Sequence, residues 1–267
     1  MNKESRLQEA YLSRLEKQRI KIMAARILLA LAFFLLWETA ADRGWIDSFF
    51  FSSPSRLGRL FLSMWRDGSL FLHVGITLTE TLVSFALVVV IGLAVSLLLW
   101  LSDSVFQVLE PYLVILNSLP KSALAPLLIV WLGANSRTII VAGMSVAIFG
   151  TILNLYTGFT ETSREKIRLI YTLHGTKKDA LTKVVLPSTV PMIISIMKVN
   201  IGLCLVGVVI GEFIGARNGL GYLIIYGSQV FQLDLVILSI LILCLMAMLL
   251  YGGVTVAEKL YHRRQHA

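Results

Sequence analysis

The chain is short of most things a soluble enzyme uses. Only 15% of its 267 residues are charged, against about 25% in soluble domains, too few for an ordinary water-facing surface. Cysteine occurs twice, at Cys204 and Cys244. Both fall in apolar runs, which reads as two small buried side chains and not as a disulfide framework. The four histidines, His73, His174, His262 and His266, are scattered without metal-ligand spacing. No G-x-x-x-x-G-K-[ST] run is present, so the chain has no P-loop with which to cradle ATP phosphates. No cluster of His, Asp or Glu in an apolar run points to an intramembrane hydrolase. No internal repeat is visible, which disfavours the paired halves of many secondary transporters. The basic N-terminal stretch reads as a retained arm and not as a cleaved signal peptide, because no short apolar region with a small-residue cleavage site leads into a soluble domain.

What the chain has is hydrocarbon. Hydrophobic residues make up 57% of it, and the mean hydropathy is +0.79. About 20 apolar residues cross roughly 30 Å of bilayer core. Six runs satisfy this: Ile22–Ala40, Leu78–Leu101, Val105–Leu132, Thr138–Thr157, Val190–Phe213 and Leu235–Val256. The lipid bilayer is therefore the chain's first partner. The third run is expected to be broken by Pro111, Pro120 and Pro126, and it also holds Asn117, Ser118 and Lys121. Such breaks at membrane depth are tolerated only where the backbone faces protein or a wet cavity.

The basic residues set the orientation. An arm over residues 1–21, the loop 158–189 and a tail over 258–267, with Arg26 beside the arm, hold sixteen of the lysines and arginines, and the opposite side holds six. Both termini and the 158–189 loop are thus expected in the cytoplasm, flanking a transmembrane domain over 22–257. The net charge of +8 follows from this topology, with no role for nucleic acid.

Residues 161–191 form a polar, basic stretch between two spans, a protrusion suited to docking. Ser163–Leu173 reads as a short helix with Ile167, Ile170 and Tyr171 on one face and Arg164 and Arg168 on another. That apolar knob either enters a groove on a partner or packs on its own bundle. On the opposite side, Ser53 and Pro54 read as an N-cap and first helical residue. They lead an amphipathic helix through Leu57, Leu60, Phe61, Met64 and Trp65. Ile214–Asp234, punctuated by glycines, reads as a short helix or re-entrant element.

Polar groups in an apolar run are costly enough to suggest function. Lys121 either presents a cation to an anionic solute or satisfies carbonyls freed by the break. Asn117 and Asn200 line a path or bond across helices. Lys198 is expected to snorkel, Glu110 to anchor a helix end, and Glu212 to tie down the outer segment. A secondary transporter would need paired acids at mid-membrane, whereas Glu80, Glu110 and Glu212 lie near span ends.

Taken in order, several stretches resemble the permease subunits of bacterial ABC importers of the nitrate/sulfonate/taurine group. They are Ser53-Pro54-Ser55, Leu109-Glu110-Pro111-Tyr112, Leu119-Pro120, Pro126 through Gly133, Val184 through Pro187 with Pro191, Gly211 through Ala216, and Gly219-Leu220-Gly221-Tyr222. The family's loop signature begins Glu-Ala-Ala, with Gly six residues after the Glu. Here those positions are Arg168-Leu169-Ile170 and His174, and the glycine is Gly175, one place later.

The resemblance implies an all-α membrane protein with six transmembrane helices of the type I importer permease kind, in a bacterial cytoplasmic membrane. It implies no enzyme activity and no bound cofactor in this chain. ATP and Mg would sit on two cytoplasmic ATPase subunits, which would dock at Arg164, Arg168, Leu169, Ile170, Tyr171, His174, Gly175 and Thr176. A second permease copy completes a homodimer, and an extracytoplasmic binding protein delivers solute. The path is expected at Asn117, Pro120, Lys121 and Asn200. The expected solute is small and of the sulfonate, nitrate, bicarbonate or vitamin-precursor class, with Lys121 favouring an anion.

Overall fold

The computed structural model describes the backbone of residues 3–265 and the side chains of Gln18 and residues 20–259. The chain divides after Ser63 into two compact units. In the first, α1 (Lys3–Asp42) carries the basic arm and the first span as one helix, apolar from Ile20 to Asp42. Then come α2 (Ser48–Phe51) and α3 (Pro54–Arg66), whose last turn enters the second unit. The Ser53 hydroxyl accepts from Arg56 N–H at 3.4 Å, so Ser53 caps α3 as its sequence indicates. Glu38, near the end of α1, accepts from the backbone and hydroxyl of Ser55 at 2.9 and 2.6 Å and anchors the start of α3.

The second unit holds α4 (Ser69–Leu101), α5 (Asp103–Ser118), α6 (Lys121–Leu132), α7 (Ser136–Thr160), α8 (Arg164–Thr172), α9 (Lys177–Ala180), α10 (Leu186–Gly215), α11 (Leu220–Gln229) and α12 (Leu233–Gln265). Helix α7 packs between α4 and α10, and α5 and α6 also lie on it. Small residues allow this closeness. A methyl on Gly207 of α10 would lie 2.8 Å from the Gly143 Cα of α7, and one on Gly92 of α4 would lie 2.9 Å from Thr151. Between these helices lies an apolar core around Val88, Leu99, Ala147, Ile152 and Cys204. Cys204 and Cys244 are free thiols.

The third apolar run is a bent pair. Helices α5 and α6 meet at 95° across Leu119-Pro120. This corrects the expectation of breaks at Pro111 and Pro126, both of which lie inside continuous helices. At Pro120 the missing N–H removes the bond to the Leu116 carbonyl, and Leu119 is held extended, as a residue before proline prefers. At about 1.5 Å per residue α5 and α6 are about 24 and 18 Å long, each too short to cross a bilayer alone.

The fifth span also differs from expectation. From Lys177 the chain runs helically to Gly215, through a π-helical turn at Leu181–Val185. The wider turn sits where the Pro187 ring meets the Lys183 carbonyl four residues earlier. The 158–189 segment thus contains the expected short helix, α8, and, beyond a four-residue turn, the start of a long one.

Candidate functional site

Between α5, α7 and α10 lies a cavity of about 330 Å³ whose lining includes Asn117, Gly150, Asn154, Ser195, Val199 and Asn200. It brings together Asn117 and Asn200, the two asparagines singled out in the sequence. It adds Asn154 and Ser195, which sequence reasoning missed. The signal for them was helical spacing: Gly150 and Asn154 lie one turn apart on α7, as do Ser195 and Val199 on α10. Gly150 gives Asn117 room, since a methyl there would stand 3.2 Å from Asn117 Oδ1. Asn200 is 3% exposed, and the partner of its amide nitrogen is the Met197 sulfur at 4.0 Å, a weak acceptor. Its hydrogen-bonding capacity is therefore available to the cavity. The lining is amides, one hydroxyl and aliphatic groups, with no charged side chain.

Pro120 and Lys121 are not in that lining. Lys121 Nζ turns back and donates to the Leu116 and Asn117 carbonyls, the groups left without donors by the break. It also lies 5.5 Å over the Phe149 ring. Lys121 thus caps α5, the second of the two roles that its sequence position left open. Lys198 reaches Glu258 near the end of α12 and pairs with it, both side chains largely buried.

At the end of the bundle carrying residues 160–186, Ser163 caps α8 through Lys166 N–H. Ile167 and Ile170 pack on a core of Trp100, Leu155, Phe159, Leu181 and Val185. Leu169 and Leu173, one turn apart, are 58% and 70% exposed, and Tyr171 and the Arg164 and Arg168 side chains are exposed too. The expected knob of Ile167, Ile170 and Tyr171 is therefore divided: the isoleucines fix α8 to its own bundle, and the outward apolar side chains are Leu169 and Leu173.

Helix α8 ends in a Schellman turn. His174 N–H bonds Tyr171 O at 3.0 Å and Gly175 N–H bonds Ile170 O at 2.9 Å. His174 takes the left-handed conformation, φ 61°, at the position where the resembled family has glycine. Gly175 is needed for a different reason: a methyl there would stand 2.9 Å from the Ile170 carbonyl. Thr176 then starts α9 with a capping box, exchanging bonds with Asp179. Lys177 reaches toward Asp103 at 3.8 Å and lies 5.4 Å over Trp100, tying α9 to the α4–α5 corner.

At the opposite end, three consecutive N–H groups at the start of α11 are capped by side chains of other helices. Gly219 N–H bonds His73 Nδ1 at 3.0 Å, Leu220 N–H bonds Thr77 Oγ1 at 2.8 Å, and Gly221 N–H bonds Glu212 Oε2 at 2.6 Å. Thr77 also donates to Glu212 Oε1 at 2.6 Å. Free N–H groups at a helix start attract a carboxylate, which is why Glu212 is tolerated at 1% exposure. Gly221 permits the approach, since a methyl on it would lie 2.8 Å from Glu212 Cβ. Glu80, 3% exposed, faces Glu212 and Ser136 but has no hydrogen bond of normal geometry to either. Two of the acids placed near span ends, Glu80 and Glu212, are therefore neighbours.

Residues 88–265 match the family described as "Binding-protein-dependent transport system inner membrane component". A probable ABC transporter permease protein of Haemophilus influenzae is 30% identical over 229 residues, covering 86% of this chain and 91% of the relative. The formylaminopyrimidine transport permease protein ThiX of Halalkalibacterium halodurans is 28% identical over 195 residues, covering 73% and 77%. In fold, the chain is similar to a chain of the MetNI methionine ABC transporter in an inward-facing conformation. The TM-score is 0.62 at 21% identity, over 68% of this chain and 91% of that one.

Proposed function

The chain belongs to the family of binding-protein-dependent transport system inner membrane components, and we propose that it lines its importer's solute path with Asn117, Asn154, Ser195 and Asn200 and is driven through α8. It is a multi-pass transmembrane permease subunit of an ATP-binding-cassette importer. One observation carries the proposed mechanism. The helical run from Lys177 to Gly215 begins four residues after α8 and includes Ser195 and Asn200 of the cavity. Ile167 and Ile170 lock α8 onto the same core as Leu181 and Val185 of that run. A displacement of α8 is thereby passed to the cavity wall through packed side chains.

In this reading, the side carrying α8 and both termini is cytoplasmic, in a bacterial inner membrane. Two ATPase subunits hold ATP and Mg and take Leu169 and Leu173 into a groove rimmed by acids that meet Arg164 and Arg168. ATP binding moves the chain between inward- and outward-facing states only to the extent that it favours one of them. A second copy of the permease completes the path, and an extracytoplasmic binding protein supplies the solute. The amide lining favours a small solute recognised by hydrogen bonds over one held by a counter-charge. A formylaminopyrimidine-like compound suits it better than a sulfonate or nitrate.

The test is co-purification in mild detergent. The unaltered chain is expected to bring down an ATPase subunit. Leu169→Glu with Leu173→Glu should weaken that recovery by about tenfold or more, each buried apolar anchor being worth about 1–2 kcal/mol. The melting temperature of the isolated permease should not move, since both side chains are already in contact with solvent. Undiminished recovery with both changes would reject α8 as the dock.

A further inference from the structure

We infer that Lys198 and Glu258 are a positioning pair for transport, fastening α12 to α10 so that the two helices move as one body when α8 is displaced. The inference rests on the reading of α10 as the helix that carries the movement of α8 to the cavity. Neither residue lines that cavity.

Lys198 is placed to hold the cavity wall. It lies three residues after Ser195 and directly before Val199 and Asn200, which line the cavity. At about 100° per residue these three share one face of α10, and Lys198 lies about 60° beyond its edge. There its Nζ donates to Glu258 Oε2 of α12. One turn before Glu258, Val254 packs on the core that holds Met197, Leu181 and Val185 and receives Ile167 and Ile170 of α8. The end of α12 thus meets the block driven by α8 twice, once through an apolar contact and once through an ion pair.

The two contacts differ in what they resist. Apolar contact is non-directional and lets packed helices slide. The ion pair does not. Lys198 and Glu258 lie in the apolar segments Lys177–Gly215 and Leu233–Lys259, with side chains 17% and 22% exposed. Among the described residues neither forms another ion pair. Parting them would leave two uncompensated charges in an apolar setting, which is costly. Stability alone does not require the pair, because apolar side chains of similar volume often replace a buried pair without loss. What such a replacement lacks is register, and register is what a helix driven from one end must pass to its neighbour.

The test uses the complex with its ATPase subunits in lipid nanodiscs and reads distances between spin labels within one protomer by pulsed electron resonance. Cys244 of α12 is exposed and takes one label, whereas Cys204 is buried. The second label goes to α10 through Val206→Cys, or to α5, across the cavity, through Val108→Cys; both side chains are exposed. On adding ATP and vanadate, the α12–α5 distance should change by about 2 Å or more, the scale of a helix shift, while the α12–α10 distance holds within about 1 Å. In Lys198→Met with Glu258→Met, the α12–α10 distance should itself split or shift by about 2 Å or more, with the melting temperature unchanged. Lys198→Glu with Glu258→Lys should restore a single, fixed distance. A change in the α12–α10 distance with the pair intact, or a single unmoved distance in the double methionine variant, would overturn the inference. If that variant does not fold, the α12–α10 distance with the pair intact decides alone. An α12–α5 distance that stays fixed with the pair intact would instead reject the α8-driven reading, and the fastening with it.

Discussion

At the Glu212 end of the bundle, the start of α11 is held by side chains from α4 and α10, and each of its first three N–H groups meets a buried acceptor. At the α8 end, the last carbonyls are satisfied inside α8 by its own Schellman turn, and two leucines are left bare. At the first end the start of α11 is capped within the fold. The second is a rigid piece with an unfinished surface. Substitutions at the two ends should therefore fail differently, the first in folding and the second in assembly.

The largest effect is expected from Glu212→Leu. It strands the Thr77 hydroxyl and the Gly221 N–H in a buried site, at about 1–3 kcal/mol each. The melting temperature should fall by several degrees or the protein should not accumulate, whether or not the ATPase is present. Normal stability would break the contrast, because it would mean that the α11 cap is dispensable.

Lys121→Met comes next. It removes the donor for two carbonyls beside the 95° bend and should cost about 1–3 kcal/mol, read as a lower melting temperature. The solute concentration giving half-maximal uptake should stay the same. A large change in that concentration without loss of stability would restore Lys121 as a solute ligand.

The smallest effect is the most diagnostic of the α8 end. His174→Gly should raise stability by about 1 kcal/mol, by relieving the left-handed strain of a side-chain-bearing residue, and leave ATPase recovery unchanged. Loss of recovery would show that the imidazole itself touches the partner.

Much of this contrast is legible in the sequence. Ser53-Pro54 announces a helix start, and the apolar runs announce the spans. The glycine-punctuated Ile214–Asp234 stretch announces a short outer element. What is not legible is pairing at a distance: Thr77 and Glu212 are 135 positions apart, and nothing local in α4 says that His73 and Thr77 cap another helix. Lys121 has two chemically sound roles in sequence, and the bend decides between them by placing the freed carbonyls within its reach. Ile167 and Ile170 look like a docking face until their neighbours Trp100 and Phe159 are known. The displaced glycine is visible in the sequence, but the left-handed conformation of His174 needs the backbone.

The most direct test of the central claim, that the asparagine-lined cavity is the solute path driven by α8, is solute uptake by reconstituted complex carrying Asn200→Leu. The substitution replaces a 3%-exposed amide by an apolar side chain of similar size and leaves α8 untouched. The account predicts an assembled complex with ordinary basal ATP hydrolysis and uptake reduced by at least tenfold. Uptake at the unaltered rate from an equally well-assembled complex would contradict it.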